Sequence, residues 1–294
     1  MTNVLQTLID AVALGSIYAL VAMGIGLVFG VMRLVNFAHG ELITAGAYAL
    51  ALTNHLPLLV SLMTCFAVVI ALSLAMDVTY RPLRTATPTT MLVTTFAISF
   101  LLQAVALLAF GARGQNVGVL PELNRAVSIG DLRVRWVTLV SIAVGGFLLG
   151  ATALLLARTN IGLQMRASAM NVQTARLLGV RASTVIRFAF VLAAVLAASA
   201  TVLLTVQRPL VTPSYGFQLV IPALVGVVVG GMDRLVSATL GGFAIGFTAA
   251  VLGEVLPADG RVFLDTALFL LVILVLLARP SGLFTRSRAA WERL

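Results

Sequence analysis

Long apolar runs separated by short polar segments dominate the chain of 294 residues. An α-helix needs about 20 apolar residues to cross the hydrocarbon core of a bilayer, and most of the runs reach that length. The pattern predicts spans at 5–32, 38–54, 58–79, 91–110, from 136 onwards, 188–205, 217–231, 235–256 and 262–278. If 38–54 re-enters the membrane instead of crossing it, the count falls from nine to eight. We therefore predict an all-α polytopic membrane protein with eight or nine transmembrane helices, forming a single domain over residues 1–294.

A polar, arginine-rich segment at 158–187, called the basic island below, interrupts this apolar pattern. Gly162 and Gly179 bracket a stretch without Gly or Pro, which predicts one short helix that stops at a glycine. Its apolar positions share one arc of a helical wheel, and they include Leu163, Ala167, Met170, Leu177 and Leu178. An amphipathic helix of this kind suits either a protein partner that grips it or a lipid headgroup region on which it rests.

Three polar residues, Asn36, His39 and Glu41, lie at the start of the short apolar segment 38–54. An ionisable side chain at membrane depth costs about 3 kcal/mol on insertion scales, so such groups usually face protein or a wet cavity. One interpretation is a polar lining or gate of a translocation path. The other interpretation is structural. Asn36 would cap the helix, Glu41 would complement its N-terminal dipole, and His39 would be an interfacial side chain with its hydrogen bonds satisfied.

Small and hydroxyl residues mark contact faces on two later spans. Thr94, Thr95, Ser99 and Gln103 recur every four or five positions, which favours helix packing over pore lining. Gly146 and Gly150 stand four apart and predict a close contact face on the fifth span.

The sequence contains one weak internal similarity, called the echo below. The residues at 33–40 resemble those at 234–241 at a few apolar positions. Repeated halves are common in transporters, and copies at these positions would be parallel with nine spans and inverted with eight. Chance identity among apolar residues explains the echo equally well.

Composition supports the membrane assignment, because 61% of residues are hydrophobic, 10% are charged and the mean hydropathy is +1.10. All 19 basic residues are arginines, and with nine spans thirteen fall on one side of the membrane and six on the other. Cytoplasmic loops carry the excess of basic residues. We therefore expect a multi-pass protein of the bacterial inner membrane, with the basic island and the C-terminus in the cytoplasm. The N-terminus would be outside with nine spans and inside with eight.

Several kinds of chemistry have no motif in the sequence. It contains no phosphate-binding P-loop and no lysine, so the chain itself is not expected to bind ATP in the usual way. Two His and one Cys do not make a typical zinc site, and no Ser-His-Asp pattern is present. We predict no catalytic residues, no metal and no cofactor, and hence no enzyme. Acidic residues lie near the ends of spans, which weakens the hypothesis of a proton-coupled carrier.

Several short motifs follow one another along the chain. They are Gly15-Ser-Ile-Tyr-Ala-Leu20, Phe29-Gly-Val-Met-Arg-Leu-Val-Asn-Phe-Ala-His-Gly-Glu41, Arg81-Pro-Leu-Arg84, Gly162-x-x-Met-Arg-Ala167, Ala175-Arg-Leu-Leu-Gly179 and Leu276-Leu-Ala-Arg-Pro-Ser-Gly-Leu-Phe284. Over nearly its whole length the chain resembles the LivH-type permease subunits of bacterial branched-chain amino-acid ABC importers.

The resemblance implies a permease that works with a second homologous permease subunit, two cytoplasmic ABC ATPase subunits and a periplasmic substrate-binding protein. In such importers a cytoplasmic helix of the permease docks in a cleft of the ATPase. The island at 162–179 is similar to that coupling helix, which assigns ATPase coupling to Gly162, Leu163, Arg166, Ala167, Met170, Ala175, Leu177, Leu178 and Gly179. The implied function is ATP-driven import of branched-chain or related amino acids by alternating access.

Two departures from the family pattern concern the charge of the ATPase cleft that would receive the island and the flexibility and gating role of one turn. The run at 170–173 lacks the acidic residues usual after the Arg-Ala motif, and the turn at 230–234 lacks a usual glycine-serine pair. Relatives import urea, short amides or other amino acids, so the solute is less certain than the family. A self-sufficient secondary carrier, a channel and a non-transporting membrane scaffold are the other hypotheses.

Overall fold

The computed structural model describes residues 2–129, 132–232, 234–279 and 283–284. Most of these residues are helical, as the long apolar runs predict. The helices are α1 (Thr2–Met32), α2 (His39–Thr53), α3 (Leu58–Tyr80), α4 (Pro88–Phe110), α5 (Trp136–Arg158), α6 (Asn160–Met170), α7 (Val172–Leu177), α8 (Ala182–Gln207), α9 (Tyr215–Gly230), α10 (Leu235–Val255) and α11 (Leu264–Ala278).

Seven helices in the described part of the chain are long and apolar enough to cross a membrane, which confirms a polytopic helical membrane protein. The helices α2 and α9 are shorter, with 15 and 16 residues. At 1.5 Å per residue they reach about 22 to 24 Å, less than the ~30 Å of a bilayer core. The total of eight or nine spans therefore stays a prediction.

The central helix of the bundle is α1, which packs against α5, α8, α9 and α10. A Cβ atom on Gly26 would lie 3.5 Å from the Cβ of Ala238, and one on Gly15 would lie 3.0 Å from Phe243. These contacts show that α1 and α10 run antiparallel. Small residues allow this close approach, because no water is released between helices inside lipid and association depends on close packing.

The fifth span uses a different glycine from the one that the sequence suggests. Gly145 packs against Ser16 of α1, where a Cβ atom would come within 2.8 Å of the serine Cβ. Gly146 and Gly150 have open space beside them and are exposed or only partly covered within this chain. The predicted contact face through Gly146 and Gly150 is therefore wrong for packing within the described chain, because the buried side of α5 lies one residue away.

The short helices α2 and α9 begin beside each other in the interior of the bundle. A Cβ atom on Gly40 would come within 2.9 Å of the carbonyl oxygen of Gly216, and one on Gly216 would overlap the carbonyl of Gly40. The backbone N–H of Gly216 donates to Thr44 Oγ1 at 3.0 Å. Only glycine permits two backbones to cross this closely, so these two residues fix the junction.

From this junction α2 and α9 run towards opposite sides of the bundle. At the far end of α2 the carbonyl of Thr53 accepts a hydrogen bond from Ser61 at the start of α3. The far end of α9 lies against Ser237 and Gly241 at the start of α10. The order long helix, irregular segment, short helix and two further helices therefore occurs twice, as α1–α4 and as α8–α11, with opposite directions. Inverted repeats of this kind are common in transporters.

Short strands close the loops on the side away from the basic island. The strand β1 (Gln115–Asn116) pairs antiparallel with β4 (Leu210–Val211), with Gln115 opposite Val211. The strands β2 (Ala126–Ile129) and β3 (Leu132–Arg135) form a second antiparallel pair. The pairing of β1 with β4 joins the loop after α4 to the segment that leads into α9.

The basic island forms two helices, so the predicted single helix over 162–179 is wrong. The break lies at Asn171, whose extended backbone (φ −157°, ψ 110°) separates α6 from α7. Its side-chain oxygen accepts a hydrogen bond from the N–H of Thr174 at 3.0 Å. Asparagine competes in this way with continuous helical bonding and caps the next helix. Gly179 has φ +85°, as expected of a glycine that ends a helix.

Candidate functional site

Asn36 lies in the irregular segment between α1 and α2 and is 3% exposed. Its Oδ1 accepts hydrogen bonds from the N–H of Ala38 at 3.1 Å and from the hydroxyl of Tyr80 at 3.0 Å. The residue preceding α2 is Ala38, with no side-chain cap, so Asn36 orders the turn before the helix and does not cap it. The same oxygen also connects this turn to the end of α3.

Glu41 lies in the first turn of α2 and is also fully buried. Its Oε1 accepts hydrogen bonds from Ser99 Oγ and from Gln103 Nε2, both at 2.9 Å. The amide of Gln103 also donates to Ser99 Oγ at 3.2 Å. Two of the polar side chains that recur along α4 therefore donate hydrogen bonds to a carboxylate on another helix. Their spacing alone did not reveal that partner.

His39, the first residue of α2, is 1% exposed and packs against Gly24 of α1. A Cβ atom on Gly24 would lie 2.9 Å from His39 Nε2. That nitrogen has no hydrogen-bond partner among the described residues. The structure thus brings Asn36, His39 and Glu41 together at the buried start of α2, between α1, α3 and α4.

A second polar cluster centres on Asp77, which the sequence reading did not single out. The Asp77 carboxylate is 1% exposed and pairs with Arg81 at 3.0 Å, Arg84 at 2.5 Å and Arg187 at 4.0 Å. Burial lowers the pKa of the Arg84 guanidinium, while the charge of Asp77 acts in the opposite direction. The i,i+4 spacing of Asp77 and Arg81 is the feature of the sequence from which this ion pair could have been predicted.

The Asp77 cluster connects α3, the 3-10 turn at Pro82–Thr85 and the beginning of α8. Because α8 begins within the basic island and Arg187 is the last residue of the island, this cluster fixes one end of the island to the bundle. The other end is attached through Arg166, which donates to the carbonyl of Leu156 at the end of α5. Arg33 donates to the carbonyl of Ala169 at 2.8 Å and joins α1 to α6.

The island presents apolar side chains outward. Leu163 is 59% exposed, and the others of this set are more open, with Met170 at 87%, Leu177 at 89% and Leu178 at 78%. Ala167 is partly buried, whereas Ala175 and Gly162 face the bundle, where Gly162 lies against the backbone of Leu156. The apolar arc predicted from the helical wheel is therefore largely uncovered in the isolated chain.

The glycine turn before α10 departs from the family pattern, and only part of it lies within the described residues. Gly231 has φ +105°, a conformation that suits glycine. Asp233 lies outside the described residues. The turn follows the end of α9 and lies close to the island side of the bundle, where Met232 and Arg166 line one cavity.

Residues 7–278 match a family described as the permease component of branched-chain amino acid transport systems. The chain belongs to this family. The permease is 31% identical over 299 residues to the high-affinity branched-chain amino acid transport system permease protein BraD of Pseudomonas aeruginosa, covering 96% of each chain. It is 29% identical over 306 residues to the permease protein LivH of Salmonella typhimurium, again covering 96% of each.

A solved structure supports the same helical fold. The permease superposes on a chain of PsaBC from Streptococcus pneumoniae, determined in complex with Fab, with a TM-score of 0.54. The alignment covers 92% of this chain and 91% of that chain at 15% identity. At this identity the likeness concerns the fold alone.

Proposed function

We propose that the permease is the membrane subunit of an ATP-driven ABC importer for branched-chain or related amino acids. Residues 1–294 would form one transmembrane permease domain in the bacterial inner membrane, with the C-terminus in the cytoplasm. A second homologous permease subunit, two cytoplasmic ABC ATPases and a periplasmic binding protein would complete the importer, and the ATPases would hydrolyse ATP. The names of the relatives support the substrate class, and an importer of urea or short amides is the alternative.

The observation that carries the coupling proposal is the uncovered apolar face of the island. Met170, Leu177 and Leu178 are each more than three-quarters exposed, although the segment around them is polar and basic. Burying one such side chain against a partner is worth about 1.5 to 3 kcal/mol. A cleft on an ATPase subunit would cover these residues together with Leu163.

The attachments of the island make it suitable for transmitting motion. Arg166 and Arg33 connect α6 to the ends of α5 and α1, and Ala175 of α7 is buried against the bundle. Asp77 holds the start of α8 through Arg187. An ATPase that closes on ATP would therefore move α1, α5 and α8 together when it displaces α6 and α7.

Alternating access would follow from a change at the junction of α2 and α9, where Gly40 and Gly216 cross, when α1, α5 and α8 move with the island. Asn36, His39 and Glu41 lie at the start of α2, directly beside this junction. A change in the junction would expose or bury their polar groups. We assign these three residues to the translocation path or its gate on this basis.

The coupling assignment is tested with Leu177→Asp in the complete importer reconstituted in liposomes. Leu177 is 89% exposed, so the substitution should leave insertion and folding intact. Losing about 1.5 kcal/mol or more of apolar contact predicts a loss of about tenfold in substrate-stimulated ATPase activity and in uptake. The measurements are ATP turnover, uptake and recovery of the ATPase subunits with the permease.

Ser183→Asp is the matched control, because it places the same charge on an exposed position of the island outside the set of coupling residues. Its activity should stay within about twofold of the parent, as expected for an exposed substitution. Unchanged coupling in Leu177→Asp, or equal loss in both variants, would refute the coupling surface. Uptake by the permease alone in liposomes without nucleotide would instead establish a secondary carrier.

A further inference from the structure

A large cavity lies on the island side of the bundle, beside α6. It has a volume of about 950 Å³ and is bounded by α1, α5, α6 and α10, with Phe284 at one edge. This volume is at the upper end of the range found for ligand pockets in proteins, ~300 to 1,000 Å³. Gly30 of α1 lines the cavity, and a Cβ atom built there would meet no atom within 4 Å.

The cavity wall has an apolar part and a cationic part. Leu27, Ala153 and Leu240 belong to the apolar part, which follows α1, α5 and α10 towards the membrane interior. Arg166 and Arg234 belong to the cationic part, and Arg33 lines the same region. None of the lining residues within the described chain is acidic, and the adjacent Asp233 lies outside the described residues.

The two parts lie at different depths. Arg234 immediately precedes α10 and Arg33 immediately follows α1, so both mark the ends of helices where a bilayer has its headgroups. Arg166 donates to the carbonyl of Leu156, a bond that orients the guanidinium without cancelling its charge. An occupant that fits both parts has an anionic group at the interface and an apolar body extending inward.

We infer that this cavity binds an anionic phospholipid from the leaflet on the island side. The phosphate group would lie at Arg166 and Arg234, and an acyl chain would follow the wall past Gly30. Basic pockets between transmembrane helices bind anionic headgroups through the same combination of charge and depth. This site adjoins the coupling face, because Arg166 and Met170 also line the cavity, but lipid binding there does not depend on the proposed transport function.

Two other occupants fit the charges less well. The chain segment 285–294 begins after Phe284, at the edge of the cavity, but its sequence carries three arginines and one glutamate. That excess of positive charge opposes binding beside the cavity arginines. Free inorganic phosphate would match the guanidinium groups but leave the apolar wall without a partner.

The first test uses the full-length permease, purified in mild detergent and examined by native mass spectrometry for retained phospholipid. Gly30→Leu adds a side chain at a cavity position where a Cβ atom would meet no atom within 4 Å. Retention of phosphatidylglycerol should fall about tenfold, because an extra group in an apolar pocket costs at least this factor in binding. Gly150→Leu is the matched control, since it adds the same side chain at another open glycine position, on α5.

The second test distinguishes the headgroup from free phosphate. The thermal unfolding midpoint is measured with phosphatidylglycerol vesicles, phosphatidylcholine vesicles or inorganic phosphate alone. Only phosphatidylglycerol should raise the midpoint. Arg234→Gln should reduce this rise. Arg181 is an exposed arginine of the island outside the cavity, so Arg181→Gln should leave the rise unchanged.

Several outcomes would overturn the inference. They are equal protection by phosphatidylcholine, protection by inorganic phosphate alone, and equal lipid loss in Gly30→Leu and Gly150→Leu. A chain ending at Phe284 that gains lipid absent from the full-length permease would identify the segment 285–294 as the occupant instead.

Discussion

Two buried carboxylates in this permease are stabilised in different ways. Glu41 and Asp77 are 2% and 1% exposed, respectively. Glu41 accepts hydrogen bonds from the neutral groups of Ser99 and Gln103. Asp77 instead lies within 4.0 Å of three arginines. Depth explains the difference, because Asp77 lies in the last turn of α3, where long arginine side chains reach water, whereas Glu41 meets the middle of α4.

We propose that this difference separates a structural role of Asp77 from a gating role of Glu41. A carboxylate paired with several cations resists movement, because breaking the pairs leaves buried charge behind. A carboxylate held by neutral donors can exchange its partners at lower cost. We therefore regard the Asp77 cluster as a fixed anchor of the island and the Glu41 cluster as the place where a gate could move.

The largest effect is expected from Asp77→Asn. The substitution keeps the shape but leaves Arg84, which is mostly buried, without its counter-charge, so the free energy of unfolding should fall by about 3 kcal/mol. Thermal or denaturant unfolding in detergent measures the change. Glu122→Gln is the control, because its pair with Arg125 at 2.7 Å is exposed and is worth under about 1 kcal/mol. Equal losses in both variants would contradict the role of Asp77 as an anchor.

A smaller effect on stability is expected from Glu41→Leu, which removes the acceptor shared by Ser99 and Gln103. Those two side chains still bond to each other, so the loss should be about 1 to 2 kcal/mol. Glu41→Gln retains an acceptor oxygen and should cost less. If Glu41 belongs to a gate, uptake by Glu41→Gln falls although the variant unfolds almost like the parent; unchanged uptake would leave the cluster with a structural role only.

The smallest effect is expected from Tyr80→Phe. It removes the hydrogen bond from the tyrosine hydroxyl to Asn36 Oδ1, while Asn36 keeps its bond to the N–H of Ala38, so about 1 kcal/mol should be lost. The control is Tyr48→Phe, because the buried hydroxyl of Tyr48 has no partner among the described residues. Tyr80→Phe should therefore lower the free energy of unfolding more than Tyr48→Phe does. A larger loss in Tyr48→Phe would show that the assigned hydrogen bonds are wrong.

Local patterns in the sequence predicted much of the helical architecture. The long apolar runs correspond to the seven long helices, because a run of about 20 apolar residues has the length that a helix needs to cross a bilayer. The exposure of Leu163 and Met170, seven residues apart on α6, agrees with the helical periodicity of that part of the island. Gly179 adopted the expected left-handed backbone. The family also followed from short motifs spread along the chain, and the comparison with known permeases confirmed it.

Predictions failed where two local preferences competed or where the facing side of a helix had to be chosen. The wheel over the island assumed one helix, but the Asn171 side chain ended the first and capped the second. The glycines on α5 gave a valid packing motif, yet Gly145 and not Gly146 or Gly150 faces α1. The sequence of one helix does not determine which other helix it packs against.

The sequence by itself determined the seven long apolar helices, because transfer of apolar surface out of water depends on composition over a local window. Only the tertiary structure decided which polar groups meet, such as Glu41 with Ser99 and Gln103, and that α2 and α9 cross at Gly40 and Gly216. It also showed that the repeated units are α1–α4 and α8–α11, whereas the echo between 33–40 and 234–241 joins a segment before α2 to the start of α10. These relations join residues far apart in the chain, and they depend on side-chain fit that no local pattern contains.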